Sequence, residues 1–234
     1  MTLLNKYIGV TKEHKIYLFV WLTVVFLTAV VNYSDGLYYT RFIGELNPLY
    51  VFLISGIIGF ATLSKFLSKN RFSIFKIEYG KRSFRYIWLI IPFTSIAIMV
   101  DYIMVFPEDM NIPFPDSLLF YPAMAFLVEI VFHVLPIATV LFLLTLIFKT
   151  IDKENVIWIS IFIVALLEPT FQIFMDDYPI WALIITWMNL FLFNLTQLIV
   201  FKYYGFISMF LFRLFYYLIW HIIWGQFRLD LLFG

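Results

Sequence analysis

The sequence predicts an all-α, polytopic membrane helix bundle of about seven transmembrane helices, and three observations support it. Hydrophobic residues make up 63% of the chain and charged residues only 13%, against about half and a quarter in a soluble domain. The apolar segments run for roughly twenty residues, the length that a helix needs to cross a bilayer. They are continuous, whereas the strands of a membrane barrel would alternate apolar and polar residues.

The apolar segments divide the chain into helices with short polar connections. The fourth is too long for a simple crossing at about 1.5 Å per residue, so we expect it to tilt, to kink near Pro136, or to project beyond the bilayer. In chain order, the seven helices are predicted at Ile16–Tyr33, Pro48–Leu67, Phe84–Phe106, Ser117–Phe148, Val156–Met175, Pro179–Phe201 and Tyr204–Trp224.

The charges between the helices predict an orientation. Loops rich in lysine and arginine stay on the cytoplasmic side, which places the N-terminus inside and the C-terminus outside. The basic second loop is explained as a topology signal, with binding to anionic lipid head groups as the alternative. The basic residues are Lys6, Lys12, Lys15, Lys69, Arg71, Lys76, Lys81, Arg82 and Arg85, and the acidic residues of the opposite side are Glu108, Asp109, Asp116, Asp176 and Asp177.

The whole chain, residues 1–234, is predicted to form a single transmembrane domain. We find no linker, low-complexity tract or internal repeat, and Pro122, Pro136 and Pro169 have no counterparts in the first half. This argues against an inverted-repeat transporter. A net charge of +1 gives no support for nucleic-acid binding, and the absence of cysteine excludes thiolate chemistry.

Ionisable residues inside the apolar segments are the candidates for function, because a charge in the bilayer is costly. Asp101 lies near the outer end of the third helix, where it is as readily an interface residue as a gate. The other five lie deeper in the apolar segments. They are Glu129, His133, Glu168, Arg213 and His221.

Spacing suggests that these five residues share one site. Glu129 and His133 are one helical turn apart and project from the same face. Glu168 directly precedes Pro169, which opens the helix locally. We therefore predict a two-Glu, two-His cluster of Glu129, His133, Glu168 and His221, with Arg213 as a charge partner.

Two kinds of chemistry fit the predicted cluster. Oxygen and nitrogen ligands without thiolate suit zinc or another divalent transition metal. A metal-free acid–base site is the alternative, with either glutamate as the general base toward water and a histidine stabilising the oxyanion.

The order of these residues resembles the CPBP family of intramembrane proteases, also called CAAX protease and bacteriocin-processing or Abi. The family pattern is Glu-Glu-x-x-x-Arg, then Phe-x-x-x-His, then His-x-x-x-Asn or Asp on a late helix. The resemblance covers about residues 122–225. It is carried by Glu129–His133 (EIVFH), Ala165–Glu168 (ALLE) and Trp220–Gly225 (WHIIWG).

Only Glu129 and His221 match the family pattern literally. Val128, His133, Val164, Glu168 and Gly225 stand where the family has Glu, Arg, Phe, His and Asn. Glu and His have exchanged places between motifs, so two carboxylates and two imidazoles remain. The resemblance implies a divergent peptidase of a prokaryotic cell membrane that cuts a peptide or membrane-protein substrate. A non-catalytic relative, acting in immunity or as a membrane-protein partner, and a transporter or proton relay are the alternatives.

Overall fold

A computed structural model describes residues 11–35, 37–76, 84–173 and 178–234. Helices account for 85% of the described residues, which contain no strand. Seven helices are long and apolar enough to cross a membrane, and this confirms the predicted all-α polytopic bundle. These helices, called spans 1 to 7 in chain order, are Lys12–Ser34, Pro48–Asn70, Tyr86–Met104, Ser117–Ile147, Lys153–Gln172, Ile180–Tyr204 and Phe206–Leu232.

Several spans change helix type along their length. Span 2 passes from an α-helix (Pro48–Ala61) through a π-helical turn (Thr62–Phe66) to a 3₁₀ turn (Leu67–Asn70). Span 3 begins as a 3₁₀ helix (Phe84–Leu89) and continues as an α-helix (Ile90–Met104).

Spans 4 and 7 each contain a π-helical turn, and span 5 is broken. Two shorter helices, Leu37–Ile43 and Glu108–Met110, lie between spans among the described residues. The remaining bounds are Lys12–Asp35, Leu37–Ile43, Glu108–Met110 (3₁₀), Ser117–Val128, Glu129–Val134 (π), Leu135–Ile147, Lys153–Ala165, Leu167–Ile173, Ile180–Tyr204, Phe206–Tyr217, Leu218–Trp224 (π) and Gly225–Leu232.

Span 4 is a continuous run of 31 residues. Pro136 lacks an N–H group, and its ring would clash with the carbonyl of Phe132 in a regular α-helix. The π-helical turn Glu129–Val134 lies immediately before this proline and widens the helix there. The irregularity expected near Pro136 is therefore a π turn, and it falls on two of the candidate site residues.

Span 7 is the most enclosed helix of the bundle: 56% of its apolar window is buried, against 22% for spans 1 and 3. It packs on spans 3, 4 and 6, and span 6 also contacts spans 3 and 5. One apolar cluster joins spans 1, 2, 4, 5, 6 and 7, and a second joins spans 3, 6 and 7. Residues on span 7 thus face several neighbours at once.

The joint between spans 6 and 7 is a single glycine. Gly205 has a φ of 94°, a conformation that other residues rarely adopt, and a Cβ there would lie 2.9 Å from the carbonyl oxygen of Ile74. Beside it, Phe206 and Ile207 donate main-chain hydrogen bonds to Ser73 and Ile74 at 3.0 and 2.9 Å. The second loop is thereby attached to the start of span 7.

Contacts between loops lie at both ends of the bundle, and the end that carries Asp109 is called the outer end below, after the predicted orientation. Arg71 pairs with Glu154 at one end (3.0 Å), and Arg41 donates to the carbonyl of Asp109 at the other (3.2 Å). Of the charges that predicted the orientation, Lys6, Lys81, Arg82, Asp176 and Asp177 lie outside the described residues, as does the end of the predicted fifth helix at Met175.

We expect a cysteine introduced at Lys76 to react with a membrane-impermeant thiol reagent only from the cytoplasmic side. The same substitution at Asp109 should react only from outside, because an odd number of spans separates the two positions. The chain has no cysteine of its own, so single-cysteine variants in intact cells and in inverted vesicles measure this directly. Labelling of both positions from one side would contradict the topology.

Candidate functional site

Arg213 of span 7 is the centre of a buried ionic cluster between four spans. Its Nε donates to Oε1 of Glu129 at 2.7 Å. Its Nη1 and Nη2 donate to Oε1 and Oε2 of Glu168 at 2.9 and 2.7 Å, which makes a bidentate pair. At most 5% of any of these three side chains is exposed. Such parallel hydrogen bonds are the strong form of an ion pair, so the two carboxylates share one cation.

Amide and hydroxyl groups complete the surroundings of the guanidinium. Nη2 of Arg213 also donates to Oε1 of Gln197 at 2.9 Å and to Oδ1 of Asn194 at 3.3 Å, and Nη1 donates to the hydroxyl of Tyr217 at 3.3 Å. The amide of Gln197 donates in turn to Oε1 of Glu129. Span 6 therefore supplies the polar side chains that connect spans 4 and 7, as hydrogen-bonding residues do in membranes.

His133 faces the other side of Glu129. Its Nδ1 lies 2.9 Å from Oε2 of Glu129, and both side chains are fully buried. At this distance the two atoms are partners in an ion pair. Among the residues that the structure describes, Nε2 of His133 and Nδ2 of Asn194 find no hydrogen-bond partner. A buried polar atom without a partner costs about 1–3 kcal/mol, so these two atoms are the unsatisfied groups of the cluster.

Local departures from α-helix position the acidic residues. Glu129 and His133 both lie in the π-helical turn of span 4, and π turns occur frequently at functional sites. Glu168 lies in the short helix Leu167–Ile173, which follows a break at Leu166. Pro169 has no N–H group to continue the hydrogen bonds of the preceding turn. The opening expected before Pro169 is thus present, and it carries Glu168 toward Arg213.

His221 lies apart from the carboxylates, in a second polar group near the outer end of span 7. Its Nδ1 lies 2.8 Å from Oδ1 of Asn111, and its ring stacks on Tyr121 with 4.5 Å between centroids. It also meets the edge of Tyr217 (4.8 Å). Arg213 and His221 are eight positions apart, which corresponds to about 12 Å of helix. Because of this difference in depth, Tyr217 is the residue that contacts both groups.

Asn111 reaches His221 because Gly225 leaves space for it. A Cβ at Gly225 would lie 3.1 to 3.2 Å from the side chain of Asn111, closer than side chains normally approach. The hydroxyl of Tyr121 accepts a hydrogen bond from the Ile112 amide (2.9 Å) and donates to Oδ1 of Asn111 (3.3 Å). These contacts hold the middle of the outer loop between spans 3 and 4.

Asp101 belongs to a further buried pair that the sequence did not predict. Nε and Nη2 of Arg228 donate to its two oxygens at 2.8 and 3.0 Å, and both side chains are 0% exposed. The indole of Trp224 donates to the same carboxylate at 2.6 Å. Arg228 also binds the carbonyls of Phe106 and Pro107. Asp101 is therefore neither an exposed interface residue nor a free charge.

The structure thus brings Glu129, His133 and Glu168 together around Arg213 and places His221 elsewhere. Among the described residues, no three His, Cys, Asp or Glu side chains are grouped to hold a metal ion. Arg213 binds three of the four carboxylate oxygens, which leaves one oxygen of Glu129 and one imidazole. A guanidinium in that place repels a cation, so the predicted zinc or other divalent metal fits these residues poorly.

No family model, no curated protein and no solved structure matches this chain.

Proposed function

We propose that this protein is a divergent CPBP-like intramembrane peptidase in which Glu129 and His133 activate water. One observation carries the proposal: Nδ1 of His133 lies 2.9 Å from Oε2 of Glu129 with both side chains fully buried, and within the described part of the chain Nε2 of His133 has no hydrogen-bond partner. A pair with only a structural role would be expected to satisfy this nitrogen as well. A carboxylate beside an imidazole with one open nitrogen is suited to move protons to and from a substrate.

The chemistry needs one carboxylate and one protonated imidazole. Glu129 takes a proton from water, and the resulting hydroxide adds to the peptide carbonyl. The protonated His133 gives its proton to the leaving nitrogen as the carbon–nitrogen bond breaks. Glu129 then returns its proton to His133, which restores both groups and releases one acid and one amine. No metal takes part in these steps.

Arg213 and Glu168 have supporting roles in this scheme. Arg213 holds Oε1 of Glu129, so that only Oε2 is turned toward His133. Glu168 is bound through both oxygens to Arg213, which weakens it as a base. It balances the charge of the guanidinium in a place where an unpaired cation would be costly.

The reactive pair is enclosed, so a peptide needs an opening between helices to reach it. A contact between spans 4 and 5 joins Phe132, which precedes His133 in the chain, to Phe171, with ring centroids 5.6 Å apart. Phe171 is 54% exposed on the surface of the bundle and follows the break at Leu166. Separation of these two rings would admit an apolar segment from the lipid.

A non-catalytic relative is the second candidate, and the position of Arg213 favours it. A guanidinium bound to both carboxylates weakens each of them as a base. The same cluster would serve to join spans 4, 5, 6 and 7 in a protein that binds a membrane partner. The two candidates make different demands on Glu129.

The Glu129→Gln variant distinguishes them. It keeps the size of the side chain, and Arg213 keeps its bidentate pair with Glu168, so the fold should survive. Cleavage should fall by at least about a hundredfold if Glu129 is the base. Because no substrate is defined, the measurement is mass spectrometry of new protein N-termini in membranes of expressing cells, beside thermal stability in detergent.

Glu168→Gln is the matched control, since it removes the other carboxylate from the same arginine. It leaves the Glu129–His133 pair intact, and cleavage should persist. If membranes with the wild-type protein and membranes with the Glu129→Gln variant contain the same protein N-termini, the peptidase proposal is wrong. Equal losses of function and stability in both variants would favour the non-catalytic relative.

A further inference from the structure

Two loops at the predicted cytoplasmic end of the bundle are joined through basic residues. Nζ of Lys153, which begins span 5, donates to the main-chain carbonyl of Lys69 at 3.0 Å. Two residues further along, Arg71 pairs with Glu154 at 3.0 Å. The end of span 2 and the loop between spans 4 and 5 therefore meet, and they bring lysines from distant parts of the chain to one place.

This surface has more positive charge than its acidic residues balance. Lys65, Lys69, Lys149 and Lys153 are all exposed, and within the described part of the chain none of them has a carboxylate at ion-pair distance. The two acidic residues of the loop have other partners. Glu154 pairs with Arg71 and Lys202, and Asp152 caps span 5 by accepting from the Glu154 amide at 2.9 Å.

An apolar surface lies next to these lysines, on the lipid side. Phe66 at the end of span 2 contacts Phe142 of span 4, with ring centroids 6.4 Å apart. Phe142, Leu146 and Ile147 are half or more exposed. The exposed lysines match the charged head group of a phospholipid, and the exposed apolar helix face beside them matches its acyl chain.

We propose that the four lysines Lys65, Lys69, Lys149 and Lys153 form a binding surface for the head group of an anionic phospholipid. The acyl chain would lie along Phe142 and Leu146. A topology signal requires only that basic residues occur in a loop. It does not require the hydrogen bond that fixes the ammonium of Lys153 at the main-chain carbonyl of Lys69, which adds a cation to an end of span 2 that already carries Lys65 and Lys69 and so strengthens its attraction for an anion.

The orientation supports the choice of partner. These lysines lie at the end predicted to be cytoplasmic, where the leaflet carries anionic lipid, and each lysine near such a surface strengthens binding about fivefold. The proposal does not depend on the peptidase proposal, because none of its residues belongs to the Arg213 cluster.

The test compares two double variants in detergent. Lys69→Gln/Lys153→Gln removes two charges from the proposed surface. Lys12→Gln/Lys15→Gln removes two exposed lysines from span 1 at the same end of the molecule, where Glu13 accepts a hydrogen bond from the Phe75 amide of the second loop (3.4 Å). Binding of phosphatidylglycerol and of phosphatidylcholine is measured by native mass spectrometry. Thermal stability without lipid confirms that both variants are folded.

We expect the first variant to bind phosphatidylglycerol at least about tenfold more weakly and the second to change little. The binding of phosphatidylcholine, which has no net charge, should be the same in both variants as in the wild-type protein. Equal weakening in both variants would show a general effect of surface charge and overturn the proposal. Competition by soluble glycerol phosphate as strong as that by the lipid would also overturn it, since the apolar surface would then have no role.

Discussion

The Arg213→Met variant is expected to lower the free energy of unfolding by about 3–5 kcal/mol. Methionine fills a similar volume but removes the guanidinium that pairs with both Glu129 and Glu168, and both carboxylates are almost fully buried. Removal of one partner from a buried ionic network leaves uncompensated charge, which is far more costly than the network is stabilising. Thermal denaturation in detergent and unfolding in SDS measure the loss.

The triple variant Glu129→Gln/Glu168→Gln/Arg213→Met is the control. It replaces every charge of the triad by a neutral group of similar size, and such replacements are often neutral or stabilising. We therefore expect most of the lost stability to return. If Arg213→Met is as stable as the wild-type protein, the two carboxylates do not depend on this arginine. The ionic cluster described for Arg213 would then be incorrect.

The Asp101→Asn variant should have the second largest effect, again about 3–5 kcal/mol. It leaves Arg228 as a buried cation and weakens the acceptor of the Phe106 amide and the Trp224 indole. The loop between spans 3 and 4 should also become more mobile in this variant, because Arg228 also binds the carbonyls of Phe106 and Pro107. Hydrogen exchange at the Phe106 amide, together with thermal stability, reports both changes.

Glu108→Gln provides a matched comparison in the same loop. Glu108 is exposed, and the change from carboxylate to amide is the same as at Asp101. Substitutions at such surface positions usually stay within about 0.5 kcal/mol. Similar losses at both positions would mean that loop charge, rather than the buried pair, stabilises the outer end.

The fold could be predicted because the bilayer constrains both composition and length. Only helices of about twenty apolar residues satisfy the backbone in lipid here, and all seven appear close to the predicted bounds. The largest difference is the last helix, expected to end at Trp224 and found to continue to Leu232. The additional turns carry Arg228, whose charge Asp101 neutralises within the bundle.

The site was predictable in part. Periodicity placed Glu129 beside His133, and the cost of buried charge indicated that Arg213 would have acidic partners. Periodicity gives the face of a helix but says nothing of its depth relative to its neighbours. His221 was therefore grouped with residues about two turns deeper, and Asn111, a loop residue, could not be recognised as its partner.

The side chain of Asn111 fills the space that a side chain at position 225 would need. The resemblance to the CPBP pattern expects an asparagine four residues after His221; that position is Gly225, and an asparagine from another part of the chain fills the space beside it. Whether a substitution at position 111 or 225 is tolerated therefore depends on the residue at the other position. The partner of a helix residue can therefore come from a distant loop, and a comparison that aligns sequences by order alone cannot register such a contact.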